Sequence, residues 1–159
     1  MADEGQLAVL PPAGRLAGID YGHVRIGVAV CDRRRTLASP YGTLRRRNPQ
    51  ADAAWFRRLI TEEEIVGFVV GLPVRADGSE GPQAAAARRF GCWLEATTGL
   101  PVAYFDERYT TREAQQALAD AGMRAAKARR RLDMLAAQAV LAGYLEATSR
   151  QEPPGPLDA

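Results

Sequence analysis

A chain of 159 residues, 47% apolar and 25% charged, has the length and composition of one globular domain with a sizeable core. No apolar run is long enough to cross a bilayer, and Asp3 and Glu4 stand where a secretory signal would carry basic residues, so neither a membrane nor a secreted protein is expected. The net charge of +2 excludes a uniformly basic nucleic-acid binder, and two cysteines without metal-like spacing imply free thiols in a reducing, cytoplasmic setting.

Residues 1–14 read as a flexible N-terminal segment and 149–159, rich in Pro and polar residues, as a disordered tail. Between them, 15–148 form one domain. Residues 16–21 and 24–31 are two strands joined by a turn at Gly22 and His23, with Ile26, Val28 and Val30 on one face and Gly27 and Ala29 on the other. His23, the only histidine, reads as a turn residue rather than a general base. A turn rich in arginine (Arg33, Arg34, Arg35) leads to a third antiparallel strand beginning at 36–39, and a connection over 41–48 carries Arg45, Arg46 and Arg47. Both arginine clusters are solvated loop charge or phosphate contacts. Pro49 starts an amphipathic helix over 51–64 with Trp55, Phe56, Leu59 and Ile60 facing inward.

Residues 65–72 (IVGFVVGL) are a continuous apolar run of strand length, as found where both faces of a sheet are covered. A Gly/Asp/Ser loop over 73–81 leads to a helix opened by Pro82 and closed before Gly99. A short strand over 102–105 runs into Asp106, Glu107 and Arg108. Thr110 and Glu113 have capping-box spacing and open a helix ending near Gly122; a last helix runs to about 148. Three antiparallel strands followed by alternating strands and helices give a mixed α/β sheet covered by helices.

Three acids stand where acids are structurally costly. Asp20 lies inside a core strand, where a carboxylate needs a partner or a cation. Its neighbours along that face, Gly18 and Gly22, leave the face low and open to a ligand. Glu107 follows the carboxyl end of a strand. Asp133 heads the apolar face of the last helix, ahead of Ala137, Val140 and Tyr144. Singly, each has an ordinary explanation: Asp20 bonding the turn backbone, Glu107 pairing with Arg108 or Arg112, Asp133 pairing with Arg129 or Arg130. Together, converging carboxylates without matched bases call for divalent cations, Mg²⁺ or Mn²⁺. Two such ions roughly 3.5–4 Å apart can clamp the attacking and leaving oxygens of a phosphoryl displacement. Arg124, Lys127, Arg129, Arg130 and Arg131, just before Asp133, suit phosphate positioning.

Four stretches carry a more specific resemblance: Gly18-Ile-Asp-Tyr-Gly22 with Arg25-Ile-Gly27; Val70-Gly-Leu-Pro73 with Asp77-Gly-Ser-Glu-Gly-Pro-Gln83; Asp106-Glu-Arg-Tyr-Thr-Thr111; and Arg131-Leu-Asp-Met-Leu-Ala-Ala-Gln138. In this order they resemble the YqgF family of bacterial RNase H-like proteins, described both as pre-16S rRNA nucleases and as Holliday-junction-resolvase-like. The resemblance implies an RNase H-like fold, a cytoplasmic location and rRNA maturation. It puts the family's acids on Asp20, Glu107 and Asp133, as metal ligands and catalytic residues. His23-Val24 stands where the family often has Thr-Lys, and Met134 where Lys is frequent; neither touches an acid.

The expected protein is a two-metal nuclease cutting RNA phosphodiesters in 5′-end processing of pre-16S rRNA, acting as a monomer or homodimer. Arg25, Arg108, Arg124, Lys127, Arg129, Arg130 and Arg131 are its expected substrate-binding residues. A resolvase of branched DNA and a non-catalytic RNA-binding module are the alternatives. An actin- or hexokinase-like phosphotransferase would need two such domains around its nucleotide, and this chain supplies one.

Overall fold

The structure, a computed structural model, describes residues 10–109 and 125–149. Five strands form one sheet in the order β3-β2-β1-β4-β5: β1 (Arg15–Asp20), β2 (Arg25–Cys31), β3 (Ala38–Arg45), β4 (Ile65–Leu72) and β5 (Val102–Asp106). β1, β2 and β3 pair antiparallel, while β4 and β5 run parallel to β1. The mixed sheet is the expected one. The predicted helix over 110–122 lies outside the described residues.

β3 runs on to Arg45, five residues into the stretch read as a connection. Pro40 and Gly42 obscure its alternation. A strand at the sheet edge tolerates a proline, and a bulge opposite Val28 and Ala29 absorbs Tyr41 between them. Beyond the bulge Leu44 pairs with Ile26 and is buried.

Helices α1 (Pro49–Glu63) and α2 (Pro82–Thr98) cover one face. Asn48 caps α1 by accepting the Ala51 N–H at 2.8 Å, with Pro49 in the first turn. Gly99, at φ 74°, ends α2 in the left-handed conformation glycine adopts without penalty. Phe56, Leu59, Phe90 and Leu94 from these helices pack with Ile26, Val28, Phe68 and Val70 of the sheet.

Helix α3 (Ala125–Ser149) crosses the opposite face, touching all five strands and burying Ala137, Val140, Leu141 and Leu145 on Leu16, Ala29, Val69 and Ala103. The sheet is shaved flat beneath it. A Cβ on Gly18 would lie 2.6 Å from the Leu141 Cβ and 2.8 Å from the Ala137 carbonyl. A Cβ on Gly27 would overlap the Asp133 carbonyl oxygen. The low face beside Gly18 is therefore filled by α3, and the expected open approach along it does not exist.

Candidate active site

β1, β4 and β5 are parallel and end at the same edge of the sheet. After β1 the chain turns back into β2; after β4 it leaves through α2 for β5. Such a divergence opens a crevice outside the strands' carboxyl ends, where α/β sheets place their ligands. Here the crevice is a cleft of about 280 Å³ lined by Asp20, Tyr21, His23, Pro73, Gln83 and Glu107, among others.

Asp20 is the last residue of β1 and pairs with Gly27 of β2. Ile19 pairs with Val70 of β4, so Gly71 follows at the level of Asp20. The carboxylate thus stands between two glycines on neighbouring strands, and each makes room for another acid. Gly27 admits the backbone of α3 at Asp133. Gly71 lies under the Glu107 carboxylate, whose Oε1 is 2.6 Å from where a Cβ would be. Glu107 itself opens the short 3₁₀ turn Glu107–Tyr109 after β5.

Among the described residues nothing hydrogen-bonds or ion-pairs with the Asp20 carboxylate, so it does not tie the turn backbone. Burial, then the charge of Glu107, then that of Asp133 push its pKa up to about 7. Burial and the neighbouring Asp106 also raise Glu107. In both carboxyls, burial and like charge act in the same direction.

Asp106 behaves differently. Burial pushes it up, but hydrogen bonds from the Arg108 guanidinium and backbone N–H outweigh that and hold it below the ordinary carboxylate range. Arg108 also donates to the carbonyls of Arg75 and Ala76 at 3.4 Å, tying the loop beside the cleft to the end of β5.

The third acid is part of the assembly by charge but is engaged elsewhere by contact. Asp133 accepts from Arg25 Nε at 2.9 Å, in a half-buried pair. Among the described residues no three His, Cys, Asp or Glu side chains form a ready metal cage. The donor set nevertheless suits a hard divalent cation: carboxylate oxygens of Asp20 and Glu107, both lining one cleft.

Of the expected phosphate contacts, Arg25 and Arg108 are held as just described, and Arg124 lies outside the described residues. Lys127, Arg129, Arg130 and Arg131 are exposed on the opening turns of α3, in no ion pair among the described residues. Arg46 is not simply solvated loop charge. It donates to the Tyr21 hydroxyl at 2.8 Å, lies 5.2 Å over that ring and pairs with the buried Asp52 at 3.6 Å. Tyr21 in turn stacks on Phe90 and meets His23 edge-on, fixing one wall of the cleft. Sequence reasoning missed Asp52, Gly27 and Gly71. An acid on the inward face of α1 was the available signal for the first; the glycines show only once strand register is known.

Comparison with known proteins agrees with this geometry. Residues 14–147 match the family model described as "RuvX: Holliday junction resolvase". A protein of Rhodopirellula baltica named "Putative pre-16S rRNA nuclease" is 44% identical over 137 residues, covering 86% of this chain and 79% of that one. A relative of the same name in Rhodobacter capsulatus is 42% identical over 139 residues and covers 87% of each. Among solved structures, Thermus thermophilus RuvC in complex with a Holliday junction superposes with a TM-score of 0.53 over 86% of this chain and 97% of that one, at 15% identity, a likeness of fold. A mixed sheet with this strand order, carboxylates at its carboxyl edge and a family match over residues 14–147 make this protein a member of the RuvX/YqgF family, with an RNase H-like fold.

Proposed function

We propose that this protein is a divalent-metal-dependent nuclease that hydrolyses RNA phosphodiester bonds, acting in the cytoplasm on the 5′ end of pre-16S rRNA. The observation that carries the reading is Asp20, a core-strand carboxylate with no positive partner among the described residues, raised to about 7 beside Glu107 and Asp133. A structural acid would have been paired. An acid kept in deficit of positive charge at the mouth of a cleft is arranged for a ligand that brings it.

Asp20 and Glu107 would hold Mg²⁺ or Mn²⁺, with Asp133 as the third ligand. The bound metal supplies activation of water and charge stabilisation at the phosphate. Everything else falls to the chain. Lys127 and the arginines of α3 draw the sugar–phosphate backbone to the sheet edge. The Tyr21 wall and Pro73 bound the cleft in which the scissile linkage sits. A water oxygen attacks phosphorus in line, the bond to the leaving ribose oxygen breaks, and that oxygen takes up a proton.

The test is cleavage by the purified chain of structured RNA, single-stranded RNA, duplex DNA and a four-way DNA junction, with Mg²⁺ or Mn²⁺ and with chelator. RNA cut only with metal, and not by Asp20→Asn, is the expected result. The family description names Holliday junctions, and preferential cutting of the four-way junction by a stable symmetric dimer would replace the RNA reading with that one. Metal-independent binding of RNA without any cleavage would leave a binding module.

A further inference from the structure

The Arg25–Asp133 pair does not fit a site whose three acids simply await metal. Asp133 is already held by a positive partner, and that partner comes from the strand next to Asp20. We propose that Arg25 is a built-in counter-cation for Asp133, which it releases to the metal when a nucleic-acid phosphate takes up the guanidinium. This inference rests on the metal-nuclease reading and adds how the site is loaded.

Three observations support it. First, position: the Arg25 guanidinium reaches Asp133 at 2.9 Å from β2, the strand that pairs with β1 at Asp20, so a cation already stands among the acids. Second, geometry: Arg25 opens β2 two residues before Gly27, whose missing side chain brings α3 down onto the strand. Arginine and aspartate are thereby held in register by backbone packing, not by chance contact of flexible surface chains. Third, capacity: only Nε is spent on Asp133, and the guanidinium presents further N–H donors in a planar fork that matches a phosphate. The pair is half-buried at the sheet end, so a backbone phosphate drawn in by the basic start of α3 meets it from solvent.

The consequence is thermodynamic. If Arg25 is shared between Asp133 and a substrate phosphate, nucleic acid tightens metal binding and metal tightens nucleic-acid binding by the same factor. The free protein then binds metal weakly through Asp20 and Glu107, and cation loading is reserved for the complex.

The experiment is calorimetric titration of the full chain with MnCl₂, with and without a short cleavage-resistant phosphorothioate RNA. For the unmutated protein the RNA should tighten Mn²⁺ binding by roughly five- to a hundred-fold, the usual span of coupling between sites. Arg25→Gln should bind Mn²⁺ tighter by a comparable factor without RNA and gain less when RNA is added. Arg25→Lys should stay close to the unmutated protein. An Arg25→Gln protein that binds Mn²⁺ no tighter, or gains as much from RNA, overturns the proposal. Asp20→Asn separates the two levels. If it binds Mn²⁺ as the unmutated protein does, the metal reading fails; if it loses binding while Arg25→Gln gains none, only the counter-cation role fails. Should Arg25→Gln not fold, the Arg25 Nε–H resonance of the unmutated chain reads the same exchange. It should move when Mg²⁺ and the RNA are added together, and an unmoved resonance counts against the proposal.

Discussion

Asp20→Asn converts the electrostatics of the site into a stability measurement. Folding lifts the Asp20 carboxyl from 3.8 to about 7. A raised acid favours the folded state when protonated: its contribution is fully present below pH 3.8 and is lost as pH rises through 7. At about 1.4 kcal/mol per pH unit, the rise from 3.8 to about 7 sets a ceiling of about 4 kcal/mol on the burden of the ionised form in the metal-free protein. Asp20 is only part-buried, and water and side-chain relaxation reduce that ceiling, so about 1–3 kcal/mol is expected at pH 8. Asparagine keeps the size and carries no charge. In EDTA at pH 8 the Asp20→Asn protein should therefore melt several degrees above the unmutated one. The gap should shrink steadily as pH falls and be nearly gone by about pH 4. Saturating Mn²⁺ should stabilise only the unmutated protein and close the gap from the other side. Thermal melts followed by circular dichroism at four or five pH values, with EDTA or Mn²⁺, are sufficient. A variant no more stable than its parent at pH 8 in EDTA, or a gap independent of pH, refutes the claim that Asp20 is an uncompensated acid.

Two further predictions test the frame around that acid. Gly27→Ala sets a methyl group against the Asp133 carbonyl and must lift α3, so it should cost about 1–3 kcal/mol or more and reduce cleavage further than the lost stability explains; Gly42→Ala, whose Cβ would meet only Trp55 at 3.9 Å, should be tolerated. Equal effects of the two substitutions, by denaturant melts and cleavage rates, would contradict the close approach of α3. Arg129→Ala should weaken RNA binding alike for different sequences and lower the salt slope by about one unit, measured by anisotropy in chelator between low and high salt; an unchanged slope leaves Arg129 as ordinary helix charge.

The fold was readable wherever periodicity was unambiguous. The continuous apolar run became β4 at its stated bounds, and Pro82 and Gly99 marked the ends of α2 as their chemistry dictates. β3 was cut short because Pro40, Gly42 and a bulge break a pattern that the strand's edge position tolerates. The acids were readable as anomalies, since each stood on an element where a carboxylate is costly. What surrounds them was not. Arg46 looked like one of three loop arginines, yet Asp52, 3.6 Å away, and Tyr21 draw it inward, a contact that exists only after α1 has docked.

The position of Asp133 shows why a site of this kind resists reading from one chain segment at a time. Asp20 and Glu107 are fixed locally, by the ends of β1 and β5. Asp133 stands on a helix more than a hundred residues after Gly27, and no local signal fixes its height above the sheet. That height is set by the absence of side chains: Gly18 under Ala137 and Leu141, Gly27 under Asp133, and Gly71 under Glu107 and Val140. Glycine weakens a strand by its entropy and by offering nothing to pack. Three glycines in neighbouring strands beneath one helix are a cost that the sheet's own stability does not require. The cost makes sense as the means of bringing a helix backbone, and the acid it carries, within electrostatic reach of Asp20. The same close approach delivers Asp133 to Arg25. On the proposed reading the glycines govern both states of the third acid, its pairing with the guanidinium and its availability to a cation. A bulkier residue at Gly27 should disturb both at once, weakening the ion pair and the metal affinity together. Arg25→Gln should separate them.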